Sequence, residues 1–261
     1  MRRFSTEDKP ESLEVVEKQV NIPTYWIRPS QVVSAGTGMR RFVWDLHYGA
    51  PDWMPPQFPI AAVYGDTPRH PLGPWVAPGD YSVKLTANGR SYTQPLNVKM
   101  DPRVKTSAAD LALQHDIAMR CYEGLLQIRG AQVQTSKLRE QIKNLRERST
   151  PGGLADALAS LDGKLAALEG AGGGPRGGGG RGAGAAGEAT LNRMAGELLG
   201  LMGLVEGADV KPTTQAVSAA EEIQRRFSVL GSRWLEIKDR DLKSLNEQLR
   251  AASLNELTAD R

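Results

Sequence analysis

The chain divides where the period of its apolar residues changes. Between Gly79 and Met100, Tyr81, Val83, Leu85 and Ala87 alternate with Ser82, Lys84 and Thr86. On the return, Tyr92, Leu96, Val98 and Met100 alternate with Ser91, Thr93, Asn97 and Lys99. A period of two with one apolar side predicts strands. Asn88-Gly89 sits between the runs, and both residues tolerate the positive φ of a type I′ turn, so the stretch reads as a β-hairpin. Asp101-Pro102-Arg103 ends it.

Beyond that joint the period becomes three and four. Ser107 is a helix-capping residue with Asp110 in the first turn. Leu111, Ala118, Cys121, Leu125, Ile128, Leu138 and Ile142 then mark one face of a long helix that ends near Arg148. Pro151-Gly152-Gly153 breaks it. Leu154, Leu158, Leu161, Leu165 and Leu168 form a second stripe, and Leu191, Met194, Leu198, Leu201 and Val205 a third. A fourth helix is predicted from about Thr213 to Leu257, through Ile223, Phe227, Leu230, Trp234 and Ile237, with Phe227 and Trp234 as core. Its stripe steps by five to Leu242 before resuming at Leu245 and Leu249. At ~1.5 Å per residue the first and last helices are each about 60 Å long. The simplest arrangement is an antiparallel helical bundle of two long and two short helices. Residues 170–187 are almost all Gly, Ala, Arg and Pro, which reads as a disordered linker with nothing to bury.

Upstream of the hairpin the signals are shorter. Val15, Val16 and Val20 suggest one strand. Ile22 to Pro29 is an extended aromatic segment, containing Trp26, bracketed by prolines. Phe42, Trp44 and Leu46 alternate with Arg41, Val43 and Asp45, predicting a strand with Trp44 in the core. Residues 49–78 form a long connection with prolines at 51, 55, 56, 59, 68, 71, 74 and 78, with Trp53 and Trp75 within it and a short strand at Ile60–Tyr64. A loop of that length in a compact domain is uncommon and often functional. Five to seven short strands over about 100 residues match the size of an immunoglobulin-like sandwich. The predicted fold class is therefore α+β in two domains. Residues 1–38 are an N-terminal extended segment, 39–104 an immunoglobulin-like β-sandwich module and 105–258 the helical bundle. Residues 2–4 read as the end of a strand begun elsewhere, which suggests the C-terminal part of a longer protein.

Composition narrows the chemistry. Lys and Arg total 33 against 30 Asp and Glu, interspersed without a block of one sign, so neither nucleic acid nor an anionic membrane is called for as a partner. No apolar run is long enough to span a bilayer. Cys121 is the single cysteine, which excludes an intrachain disulfide and a cysteine-based metal site. His47, His70 and His115 lie in three separate elements without metal-ligand spacing, so no metal and no cofactor is predicted. His47 stands two residues after Asp45, the spacing of a structural contact. Asp45, Asp52, Asp66, Asp80 and Asp101 are scattered over the β region and define no glycosidase pair. Asp80 and Asp101 read as turn residues. No GxSxG occurs. The glycine tract with Arg176 and Arg181 follows a helix and lacks GK[ST], so it is not a phosphate loop. No catalytic constellation emerges. Trp26, Trp53 and Trp75 are the candidates for contact with a ligand or a neighbouring domain.

The segments Gly38-Met39-Arg40-Arg41-Phe42-Val43-Trp44-Asp45-Leu46, Thr67-Pro68, Gly73-Pro74, Pro78-Gly79-Asp80-Tyr81 and Met100-Asp101-Pro102-Arg103 resemble the C-terminal region of bacterial sortilin-like, BNR-repeat "glycosyl hydrolase" proteins. The VWDL and PGDY parts are also similar to the immunoglobulin-like module of flagellar hook-capping proteins. In the sortilin-like family a β-propeller precedes an immunoglobulin-like module and a helical region. The resemblance implies an extracytoplasmic, non-catalytic accessory region partnered by an upstream β-propeller domain. Any hydrolase activity would belong to that propeller, whose SxDxGxxW repeats are absent here. Two alternatives stand beside it. In one, the region binds a polysaccharide for a glycoside hydrolase through Trp53 and Trp75. In the other, the long helices are a scaffold for a protein partner.

Overall fold

The computed structural model describes residues 2–9, 22–29, 31–51, 53–54, 56–59, 63–147, 152–170 and 188–259. The suggested strand around Val15, Val16 and Val20, the first part of the strand at Ile60–Tyr64, Asp52 and nearly all of the glycine-rich tract lie outside these residues. The chain forms two compact units. The first comprises residues 1–119 with 205–212, and the second 120–204 with 213–261.

In the first unit the hairpin is present. Strand β1, Gly79–Ala87, pairs antiparallel with β2, Arg90–Val98, in a register running from Gly79 opposite Val98 to Ala87 opposite Arg90. Asn88 (φ 50°) and Gly89 (φ 74°) close it with the two positive φ angles of a type I′ turn. These are the only two strands among the described residues. The expected immunoglobulin-like sandwich is therefore absent, and with it the α+β architecture of a sandwich followed by a helical bundle. The segment 39–46 alternates in sequence but joins no ladder. Met39 and Val43 lie exposed and Leu46 takes a left-handed φ of 57°, which ends any extended run. Trp44 is half-buried outside any strand, its indole N–H donating to the His47 carbonyl at 3.0 Å. Asp80 is likewise a strand residue, not a turn residue.

Upstream of the hairpin the described residues are mostly loop, pinned by isolated bridges, Ile27 with Thr67, His47 with Trp75 and Gln57 with His70. Prolines cannot donate to a ladder, so a segment this rich in them makes single bridges where strands would need runs. Residues 2–4 pack onto it. The Arg2 guanidinium bonds Asp45 and the His47 and Tyr48 carbonyls, and Phe4 meets Phe42 at 4.5 Å.

Helix dominates the described residues beyond the hairpin. Helix α1 spans Ala108–Arg146, α2 Gly153–Glu169, α3 Leu191–Val205 and α4 Thr214–Glu236, which passes through a π-helical turn, Ile237–Leu242, into α5, Lys243–Ala251. Ser107 Oγ accepts the Asp110 amide at 3.1 Å and donates to its carboxylate at 2.7 Å, a reciprocal N-cap. Thr213 caps α4 through the Ala216 amide. In the second unit the stripes close on one another. Leu125, Leu138, Ile142, Leu158, Leu165, Leu168, Met194, Leu230 and Leu249 are almost wholly buried. Helix α2 packs against α4, the π turn and α5. Ion pairs tie the outside: Arg139 to Asp162 and Glu169, Lys164 to Asp241, and Arg226 to Glu197. The last helix ends at Ala251, short of the expected Leu257. Leu257 is nonetheless buried, because Asn246 bonds both its amide and its carbonyl.

Candidate functional site

Two features of the first unit present themselves to a partner. One is the hairpin. Alternation sorts its side chains into a polar side, with Asp80, Ser82, Lys84 and Thr86 opposite Asn97, Pro95, Thr93 and Ser91, and a mainly apolar side carrying Tyr81, Val83, Leu85, Tyr92 and Leu96, with Gln94 opposite Val83. The polar side is bonded across the strands: Asn97 Nδ2 donates to Asp80 at 2.7 Å, and the Thr86 and Ser91 hydroxyls meet at 3.0 Å. The apolar side is uncovered, with Val83 51%, Leu85 58% and Tyr92 56% exposed. Its base is held by the Tyr81 hydroxyl on the Ala77 carbonyl at 2.5 Å and the Tyr81 ring edge-on to Trp44.

The other feature is the turn before the hairpin. The His47 ring stacks on Trp75 with centroids 3.7 Å apart, and its Nδ1–H donates to the Gly73 carbonyl at 2.7 Å. Gly73 has no room for a side chain, since a Cβ there would lie 2.5 Å from the backbone oxygens of Tyr48 and Gly49. Burial holds His47 below the ordinary imidazole value, against the raising effects of the Gly73 bond and Asp45, and the Gly73 carbonyl, which can only accept, fixes a proton on Nδ1. The Trp75 amide donates to the Glu206 carboxylate at 2.8 Å. Burial pushes that carboxyl up to about 7, the bond from Trp75 only partly opposing it. Gln114, buried near the start of α1, donates to the carbonyls of Val205 and, at 2.8 Å, Ala208. It fills the place of the missing amides past the end of α3 and so positions Glu206.

The three tryptophans singled out from the sequence are not drawn together by any ring contact. Trp26 is half-buried in a 3₁₀ turn, Thr24–Trp26, edge-on to the exposed Tyr25. Trp53 is half-buried in the turn after Pro51. Trp75 is 48% exposed over His47. Asp45 does contact His47, through the His47 amide at 3.3 Å. Asp101 makes a turn, accepting the Arg103 amide at 2.9 Å while the Arg103 guanidinium holds its carboxyl below the usual range. The sequence reading missed Glu206 and Gln114. A lone Glu after an apolar stripe carries no signal, and its burial comes from residues distant in the chain. Among the described residues, no three His, Cys, Asp or Glu side chains gather as a metal site, and no helix is long and apolar enough to cross a membrane. Compared with known protein families, curated proteins and solved structures, the chain matches none of them.

Proposed function

We propose that this chain is a non-catalytic accessory region of a larger, exported β-propeller protein, and that its hairpin is the surface on which the neighbouring domain rests. The observation that carries the reading is the uncovered apolar side of β1 and β2, where Val83, Leu85 and Tyr92 are each more than half exposed. A two-stranded hairpin is at best marginally stable alone in water and gains by packing its apolar side against another surface. Contiguous exposed apolar side chains of this kind mark protein contacts. The propeller partner and the extracytoplasmic location in this reading rest on the family resemblance of the motif running from Gly38 to Arg103.

The reading first requires a reading frame in which propeller repeats precede this chain. Propeller and chain, purified separately, should then bind. Leu85→Asp or Tyr92→Asp should weaken that binding by at least about tenfold, as expected for a central apolar contact. Absence of binding, or binding indifferent to both substitutions, overturns the proposal.

A further inference from the structure

The two outer edges of the hairpin are not equivalent. The two-residue turn makes Ala87 and Arg90 a hydrogen-bonded pair, and bonded and non-bonded pairs alternate from there. Residues 79, 81, 83 and 85 therefore bond to β2, while the backbone groups of Asp80, Ser82, Lys84 and Thr86 point outward. Opposite Ser82 stands Pro95, at a position whose nitrogen also points outward, on the far edge. That edge lacks a donor at its centre and is closed to strand addition. The edge of β1 has no such block.

We propose that β1 pairs antiparallel with β1 of a second copy of this chain, about a two-fold axis at Ser82, to build a four-stranded sheet. The register is chosen by the side chains. With Ser82 facing Ser82, Asp80 of each copy falls directly opposite Lys84 of the other, which gives two opposite-charge pairs on the polar side. On the same register Tyr81 falls opposite Val83 twice on the apolar side, so the apolar surface continues unbroken across the junction. Directly opposed unlike charges and aromatic–β-branched pairs are the stabilising cross-strand combinations. The interface is isologous and closes after two copies, because Pro95 leaves no further edge to extend. Both Asp80 and Lys84 are exposed and available to a partner. The pairing uses the edge of the sheet and stands whether or not a propeller covers its apolar side.

Sedimentation of the purified full chain at about 100 µM should show a dimer. Asp80→Lys and Lys84→Asp, each alone, oppose like charges and should weaken self-association by at least about tenfold. Mixing these two variants restores both unlike pairs, and a heterodimer should form with affinity within about threefold of the original. Because neither chain changes in the mixture, recovery separates lost pairing from a damaged hairpin, and circular dichroism of each variant checks the helices. A monomeric parent chain, a dimer indifferent to either substitution, or a mixture that fails to recover overturns the proposal.

Discussion

Ile237 and Leu242 lie five residues apart yet point to the same side, both buried at 7% exposure. In an α-helix a step of five turns a side chain well away from the stripe. The backbone between them is π-helical, and the wider turn returns Leu242 to the line of Ile237. The five-residue step in the apolar stripe and the π turn are the same event. Tight packing of Leu230, Trp234, Ile237, Leu242, Leu245 and Leu249 holds the less favourable hydrogen bonding in place. Asp241, inside the turn, is bonded by Lys164 at 2.7 Å, which fixes the bulge from outside.

Removing one residue from this turn should therefore be tolerated. Deleting Asp239, exposed on the bulge, changes the step from five to four and lets the segment close as α-helix with the stripe intact. Deleting Gln224, exposed in the regular part of α4, rotates every later apolar residue by about 100°. Thermal melts followed by circular dichroism should place the Asp239 deletion near or above the parent chain. The Gln224 deletion should lose many degrees. If both deletions are equally damaging, the π turn does not set the register.

Glu206 makes stability depend on pH in a definite direction. Its native carboxyl sits near 7 against an ordinary 4.5. Between those values the folded chain keeps a proton the unfolded chain has lost, so the stabilising effect of that proton is complete below 4.5 and declines as pH rises to about 7. Glu206→Gln keeps an oxygen for the Trp75 amide and never ionises. The gain in melting temperature of the variant over the parent should be small at pH 4.5, grow towards pH 7 and level off above. His47 and His70, both held low by burial, add an opposite slope below 6.5 that cancels in the comparison. A difference that is flat across this range would remove Glu206 as its source.

Gln114 carries two acceptors that no other side chain is shown to serve, the carbonyls of Val205 and Ala208. Gln114→Leu keeps a similar volume, strips the Val205 carbonyl of its side-chain donor in a buried place and leaves the Ala208 carbonyl to the Val210 amide. The expected cost is about 1–3 kcal/mol, read from urea unfolding. Hydrogen exchange in residues 205–212 should rise with it, since those residues would lose the bonds that hold them. An unchanged exchange pattern would mean the backbone is held by other contacts.

Much of the helical part was legible because it rests on local periodicity. The stripes from Leu111 to Leu249 locate the helices to within a few residues, and Ser107 and Asp110 announce the start of α1. Even the π turn left its mark as a step of five. The β region was legible only at Asn88-Gly89, where turn stereochemistry and alternation coincide. The alternation of Phe42, Trp44 and Leu46 misled, since a strand needs a neighbour with free donors, and the adjoining proline-rich segment has few to offer. The contacts of Glu206, Gln114 and Arg2 join residues far apart in the chain and leave no pattern in any window.

The sequence by itself determined which residues can be helix, where the hairpin turns and which side of each element is apolar, because these follow from spacing and from the φ angles that Asn, Gly and Pro allow. Tertiary structure alone decided which apolar sides find cover. The helices cover one another, while the hairpin, with no second sheet among the described residues, leaves Val83, Leu85 and Tyr92 exposed. It also decided the ionisation of Glu206 and the stacking of His47 on Trp75, because burial and ring contact depend on the whole surroundings of a group and not on its neighbours in the chain.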